Sequence, residues 1–243
     1  MIIGVSHIVI SGKNELQSML SKTPWILLEE HFFKPDFPQK AQFLDATQKY
    51  CELKLFRHPS NICPMIEFAN YAAYTKNPPH FQPIFSSQKL NLQTLTKGEI
   101  EFLSEHLSSD CTNDSLWGFA VKSNNIKDEE KFWATAFNFK VTKKTDDFVL
   151  LKFTAAIRNW SFNLLISKCN YTKRIHRLND RGMNCISFLV DQIEGELEKL
   201  KNYGITAISE PFEVRLNHRT PKVSFFQGPF GEIIELVEIK QNA

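Results

Sequence analysis

Apolar positions dominate Asn184–Val190, the pattern of a half-buried strand. From Gln192 to Tyr203 the spacing changes: Ile193, Leu197 and Leu200 recur at i, i+4 and i+7 with Glu and Lys opposite, which predicts one amphipathic helix. Gly204 stands where a left-handed helix end belongs, and a strand is expected around Ile205–Ile208. Lys222–Gln227 and Glu232–Glu238 read as two more strands. Gly228-Pro229-Phe230-Gly231 joins them with proline second and glycine fourth, a tight-turn arrangement. The order is strand, helix, strand, strand, strand.

The same order recurs upstream. Trp117–Lys122 is a strand, Ser123, Asn124 and Asn125 offer helix caps, and Phe132, Trp133, Ala136 and Phe137 mark a helical face. Lys140–Lys143, Phe148–Phe153 and Trp160–Ser167 then follow as strands. Near the start, Gly4–Ser11 is a strand and Leu16, Met19 and Leu20 a short helix. Trp25–Phe33, Cys51–Arg57 and Met65–Tyr71 complete the set, with His58-Pro59-Ser60-Asn61 in the turn position. A repeat is the economical reading. It gives a first βαβββ module at residues 1–71, a second at 115–170 and a third at 182–240, the third expected to pair with the second. Aligning first strands puts His7, Leu116 and Cys185 in one column. The excess length lies in 72–114, which has Pro78, Pro79 and Pro83 and a helical stretch around Gly98–Leu107. That segment reads as a linker or a decayed module.

Composition narrows this picture. Apolar residues make up 42% and charged residues 23% of 243, an ordinary globular balance. The 21 phenylalanines point to a bulky aromatic core in a sheet-rich fold. A formal net charge of +2 gives no footprint for nucleic acid, and no apolar run is long enough to span a membrane. Five widely spaced cysteines without a C-x-x-C pair argue against a disulfide framework and fit a reducing, cytoplasmic setting. The apolar stretch Met1–Ile10 lacks a basic start and contains His7, so it reads as a strand and not a signal peptide.

Two segments resemble a known family. Gly182-Met183-Asn184-Cys185-Ile186-Ser187-Phe188-Leu189-Val190-Asp191 is similar to the opening strand of a vicinal oxygen chelate (glyoxalase-like) module. Lys222 through Leu236, with Gly228-Pro229-Phe230-Gly231 at its centre, is similar to the closing hairpin. Phe132-Trp133 followed by Phe137-Asn138-Phe139-Lys140-Val141 resembles the helix-to-strand passage, with Asn138 where glycine is usual. Val5-Ser6-His7-Ile8-Val9-Ile10 and Pro64-Met65-Ile66-Glu67-Phe68 resemble the first and last strands of another module. The resemblance covers most of the chain and is absent from 72–114.

It implies an α+β fold in which βαβββ modules pair into curved, cup-like mixed sheets with helices outside. In metal-dependent members a histidine or its equivalent comes from first strands and a glutamate from last strands. The superfamily includes glyoxalase I, extradiol dioxygenases, methylmalonyl-CoA epimerase, and fosfomycin- and bleomycin-resistance proteins, so the fold alone does not choose a reaction. Carried over residue by residue, the implied metal ligands are His7, Glu67 and Glu235, with Glu235 also the catalytic base. Cys185 occupies a ligand seat as a substrate contact. Arg215 and His218, with Arg219, fall where the family sets a loop over the cup mouth and would hold an anionic substrate group. The second module offers Leu116 and no acid in its last strand, so everything turns on which modules share a cup. Lys173, Arg174, His176, Arg177 and Arg181 read as a solvated linker; His31, His58, His80 and His106 sit in no motif.

Two readings stay open. In one, a single divalent ion (Fe, Zn, Mn, Ni or Mg) serves a lyase, isomerase or dioxygenase acting on a small oxygenated substrate. In the other there is no metal, and an aromatic-lined cup binds or sequesters a small molecule, as drug-resistance relatives do. The expected partner is a small molecule, with a homodimer left open and neither nucleic acid nor membrane involved.

Overall fold

The structure is a computed structural model that describes residues 1–12, 24–34, 36–45, 48–60, 63–75, 77, 79–86, 95–107, 115–155, 161–170 and 175–239. Its strands are β1 (Ile2–Ser11), β2 (Ile26–Phe33), β3 (Cys51–Arg57), β4 (Met65–Tyr71), β5 (Phe81–Phe85), β6 (Leu116–Ser123), β7 (Lys140–Lys144), β8 (Phe148–Thr154), β9 (Ser161–Lys168), β10 (Gly182–Val190), β11 (Phe212–Glu213), β12 (Lys222–Gln227) and β13 (Ile233–Glu238). The helices are α1 (Lys97–Phe102), α2 (Ile126–Phe137) and α3 (Ile193–Asn202), with a 3-10 turn at Pro38–Phe43. The short helix expected near Leu16–Leu20 lies outside the described residues. None of the described helices is long and apolar enough to cross a membrane.

One mixed sheet runs β2-β3-β4-β1-β10-β5-β6-β9-β8-β7, and β13, β12 and β11 continue from β10. In each repeat the first strand lies parallel to the last, β1 to β4, β6 to β9 and β10 to β13. The fold is α+β with a mixed sheet, as the sequence predicts. The pairing of the third module with the second is corrected. β10 runs antiparallel along β1 from Ile2↔Val190 to Ser11↔Gly182, whereas it reaches the second half of the sheet through one bridge, Met183↔Phe81. The partner of the second module is β5, from the 72–114 segment, which lies antiparallel on β6.

Strand alternation divides the first half into two faces. Ile8, Ile10, Ile66, Phe68, Ile186, Phe188, Ile234 and Leu236 point to one side and join Trp133 and Phe137 of α2 and Leu197 of α3 in the main core. Ten of that core's 32 described buried residues are phenylalanines, and Phe81 and Phe119 pack edge to face on Trp133. Val9, Cys51, Ala69, Cys185, Phe225, Ile233 and Val237 point to the opposite, concave side. In the second half that concave side is filled. Phe102, Leu103 and Leu107 of the α1 segment pack onto Ile84, Ala120, Leu150 and Leu165. Thr96 and Glu99 close a reciprocal cap at the start of α1, and Ser167 donates to the buried Glu99 carboxylate at 2.6 Å.

Three further expectations are corrected. Ile205–Ile208 forms no strand, only the bridge Ile208↔Phe226, because Pro211 interrupts the run and pairing resumes at Phe212. The helix near Gly98–Leu107 ends at Phe102 and continues as turns. The basic stretch before β10 is not a solvated linker where it is described. His176, Leu178, Asn179 and Asp180 are buried, and the Leu178 amide donates to Phe43.

Candidate active site

The β1–β10 seam sets the site. His7 stands opposite Ser187, and Val9 opposite Cys185. On the outer flanks Glu67 of β4 lies beside Val9 and Glu235 of β13 lies beside Ser187. This register is symmetric: His7 corresponds to Cys185, Val9 to Ser187 and Glu67 to Glu235. Period-two alternation turns His7, Glu67 and Glu235 to the concave face, where they converge. The His7 Nε2 atom is 3.2 Å from Glu235 Oε2 and 3.6 Å from Glu67 Oε2. Residues 7, 67 and 235, far apart in the chain, thus meet at one point. Cys185 is fully buried behind them. Its thiol is pushed well up by burial and by the charges of Glu235 and Glu67, so it is a neutral packing group.

Hydrogen bonds define the resting state. Ser187 Oγ donates to Glu235 Oε2 and lies 2.9 Å from His7 Nε2. Its proton being committed to Glu235, Ser187 accepts from the His7 Nε2–H. The other ring nitrogen, Nδ1, is 3.1 Å from Ser6 Oγ. Burial alone would lower the His7 pKa, but the Glu67 charge and the Glu235 hydrogen bond outweigh it and raise the value above 6.5. The two glutamates are driven apart. Burial pushes both upward, and at Glu235 the bonds from His7 and Ser187 reverse this and hold its carboxyl below the usual range. Glu67 has no such support and stays raised by burial and by the Glu235 charge. The two carboxyls are thus shifted in opposite directions from the same starting value.

Around this centre lies a pocket of about 900 Å³, its open mouth included. Leu53, Leu55, Val223 and Phe225 form its apolar wall. Lys40, carried by the 3-10 turn, is buried in that wall with its ammonium 3.4 Å from Asp36 and over the Phe37 and Phe225 rings. Burial and its neighbours act oppositely on Lys40, and Cys51, Asp36, Glu67 and Glu235 together hold its pKa above the ordinary lysine value. At neutral pH the charge comes from the three carboxylates, since burial pushes the Cys51 thiol up to about 12. Glu29 and His31 line the rim, 3.0 Å apart, and Arg219 reaches Glu29 at 3.4 Å.

Arg215 and His218 do not line this pocket and are exposed on the segment before β12; Arg219 is the member of that trio that turns inward. Sequence reasoning missed Lys40, Glu29, His31 and Ser187. The alternation of β2 signals Glu29 and His31, two residues apart on one face, and the Ser187 signal is its place two residues after Cys185. Lys40 sits in an irregular turn and has no periodic signal.

Among the described residues no three His, Cys, Asp or Glu side chains stand ready spaced as a metal cage. The site nevertheless fits a divalent ion chemically. One imidazole and two carboxylates face one point, and Ser6 can accept from Nδ1–H in the tautomer that frees the Nε2 lone pair.

No family model matches this chain, and no curated protein matches it in sequence. Solved structures do. Glyoxalase I from Zea mays superposes with a TM-score of 0.58 at 12% identity, over 97% of this chain and 92% of that one. Two mutants of the same enzyme give 0.57 at 13% identity and 0.58 at 12%, each over 97% of this chain and 92% and 93% of theirs. These observations define a chain with the fold of glyoxalase I, carrying a His-Glu-Glu cluster on the concave face of its first and third modules. At such identities the likeness is one of fold.

Proposed function

We propose that the cup binds a small oxygenated molecule and moves a proton on it, with His7, Glu67 and Glu235 holding one divalent cation. The observation that carries this reading is the convergence of His7 Nε2 on both carboxylates, 3.2 and 3.6 Å away, at the floor of the pocket. A bound cation would polarise a substrate C–O bond and acidify the neighbouring C–H. Glu67, raised by burial, accepts that proton. Glu235, held by the Ser187 hydroxyl, keeps its charge for the cation. The apolar wall excludes water from the proton in transit. Lys40 favours a second reading, a metal-free binding cup, because its ammonium already supplies positive charge to Glu67 and Glu235.

The two readings separate on metal content. Protein purified without chelator from medium containing Mn, Fe, Ni and Zn is expected to retain about one divalent ion per chain, measured by plasma mass spectrometry. His7→Ala and Glu67→Gln should each retain at least tenfold less. A metal-free parent, or variants that retain metal as the parent does, would overturn the chelate reading in favour of the second.

A further inference from the structure

A second cavity, of about 1040 Å³ with its opening included, adjoins the cup and shares Ser6, Met65, Arg219 and Ile239 with it. Its charge is of the opposite kind. Among the described residues, the cup is lined by Glu29, Glu67 and Glu235, whereas the second cavity has no acidic lining residue and two arginines, Arg57 and Arg219. Arg57 ends β3 in the alternating series Cys51, Leu53, Leu55, Arg57, so the strand turns it to the concave side. Its Nε is buried without a hydrogen-bond partner, and among the described residues its guanidinium has no ion pair. Arg219 arrives from the segment before β12. Its Nε is likewise buried and unpartnered, and among the described residues its one carboxylate contact, Glu29, is shared with His31. In each guanidinium the enclosed Nε–H is a donor left for an acceptor that enters the cavity.

We propose that Arg57 and Arg219 form a carboxylate-binding subsite that anchors the far end of the cup's ligand. The inference rests on the reading of the cup as a ligand site and narrows the ligand to an apolar molecule bearing a carboxylate. The fork of each guanidinium matches the two oxygens of a carboxylate. Val5, Leu28, Met65 and Leu189 line the rest of the cavity and suit a hydrocarbon body. With the anionic end held there, the shared boundary at Ser6 and Met65 directs the other end towards His7.

The test uses octanoate and its neutral counterpart 1-octanol as probes in ligand-observed NMR titrations of the full chain. The parent should bind octanoate at least tenfold more tightly than 1-octanol. Arg57→Met should remove that preference and leave 1-octanol affinity unchanged. If Arg57→Met does not fold, Arg57→Lys, which keeps charge without the fork, should weaken octanoate at least threefold with 1-octanol unaffected. His7→Ala should lose metal yet keep the octanoate preference, so a metal-free parent that still prefers octanoate removes the chelate reading alone. Equal affinity for the two probes in the parent overturns the subsite, as does an undiminished preference in the folded Arg57 variant.

Discussion

Glu67 and Glu235 occupy equivalent places on β4 and β13, yet their neighbours push them in opposite directions. Linkage converts that difference into a stability effect. The folded-state pKa of Glu67 lies above the ordinary 4.5, so its favourable contribution is complete below pH 4.5 and is lost as pH rises through the folded value. His7, raised above 6.5, likewise contributes fully below 6.5 and loses that contribution at higher pH. Glu235 has the other sign: its contribution is present above 4.5 and disappears as the pH falls. Glu67→Gln removes an ionised, buried group and also the main charge that raises His7. In the metal-free state its melting temperature at pH 8 should exceed the parent's by roughly 2–4 °C, about 1 kcal/mol in a chain of this size, and should match it near pH 4. Parallel melting curves across this range would contradict the assignment. The residues of this cluster were legible because each lies on a strand, where period two limits a side chain to one of two faces. Lys40 and Arg219 come from irregular segments with no such constraint, so sequence left their direction open.

At the level of elements, punctuation carried much of the information. Gly204, expected in the left-handed region, has φ of 78°, and the Gly231 amide closes the turn on the Gly228 carbonyl at 3.1 Å. Asn138, noted as standing where a glycine is usual, ends α2 with φ of 58° and ψ of 30°. Asparagine tolerates that conformation and β-branched residues do not. Asn138→Gly should leave thermal stability unchanged or slightly higher, whereas Asn138→Val should cost about 1–2 kcal/mol in denaturant unfolding. An unaffected valine variant would mean the α2 end does not hold this backbone conformation. The reading failed at Ile205–Ile208, where local β propensity met a proline-interrupted path, and at β5, whose central Pro83 disguised a strand.

Across the whole molecule, the sequence displayed the repeats but not their partners. Each first strand is apolar and of similar length, and nothing within β10 names β1 over β6 as its neighbour. The two halves then diverge in use. One concave face carries charge and opens to a pocket, while the other is stoppered by the α1 segment. No histidine or acid lies on β6 or β9 beneath that stopper. Leu103, fully buried against Leu165 and Ala120, should cost about 3 kcal/mol when cut to alanine. The Leu103→Ala protein should still match the parent in metal content, since the cup lies across the seam. A variant that unfolds no more easily, or one that loses metal while folded, would refute this division of labour.

The seam between β1 and β10 also imposes an order on biogenesis. A ribosome delivers β1 and β4 early, but the strands that complete their cup emerge only after the whole stoppered half has been made. The intervening segment has its own core and short-range pairings, which permits it to condense while the earlier strands wait with one edge unsatisfied. Until β10 arrives, that edge is open to mispairing with any passing strand, and chaperone capture during synthesis is expected to concentrate there.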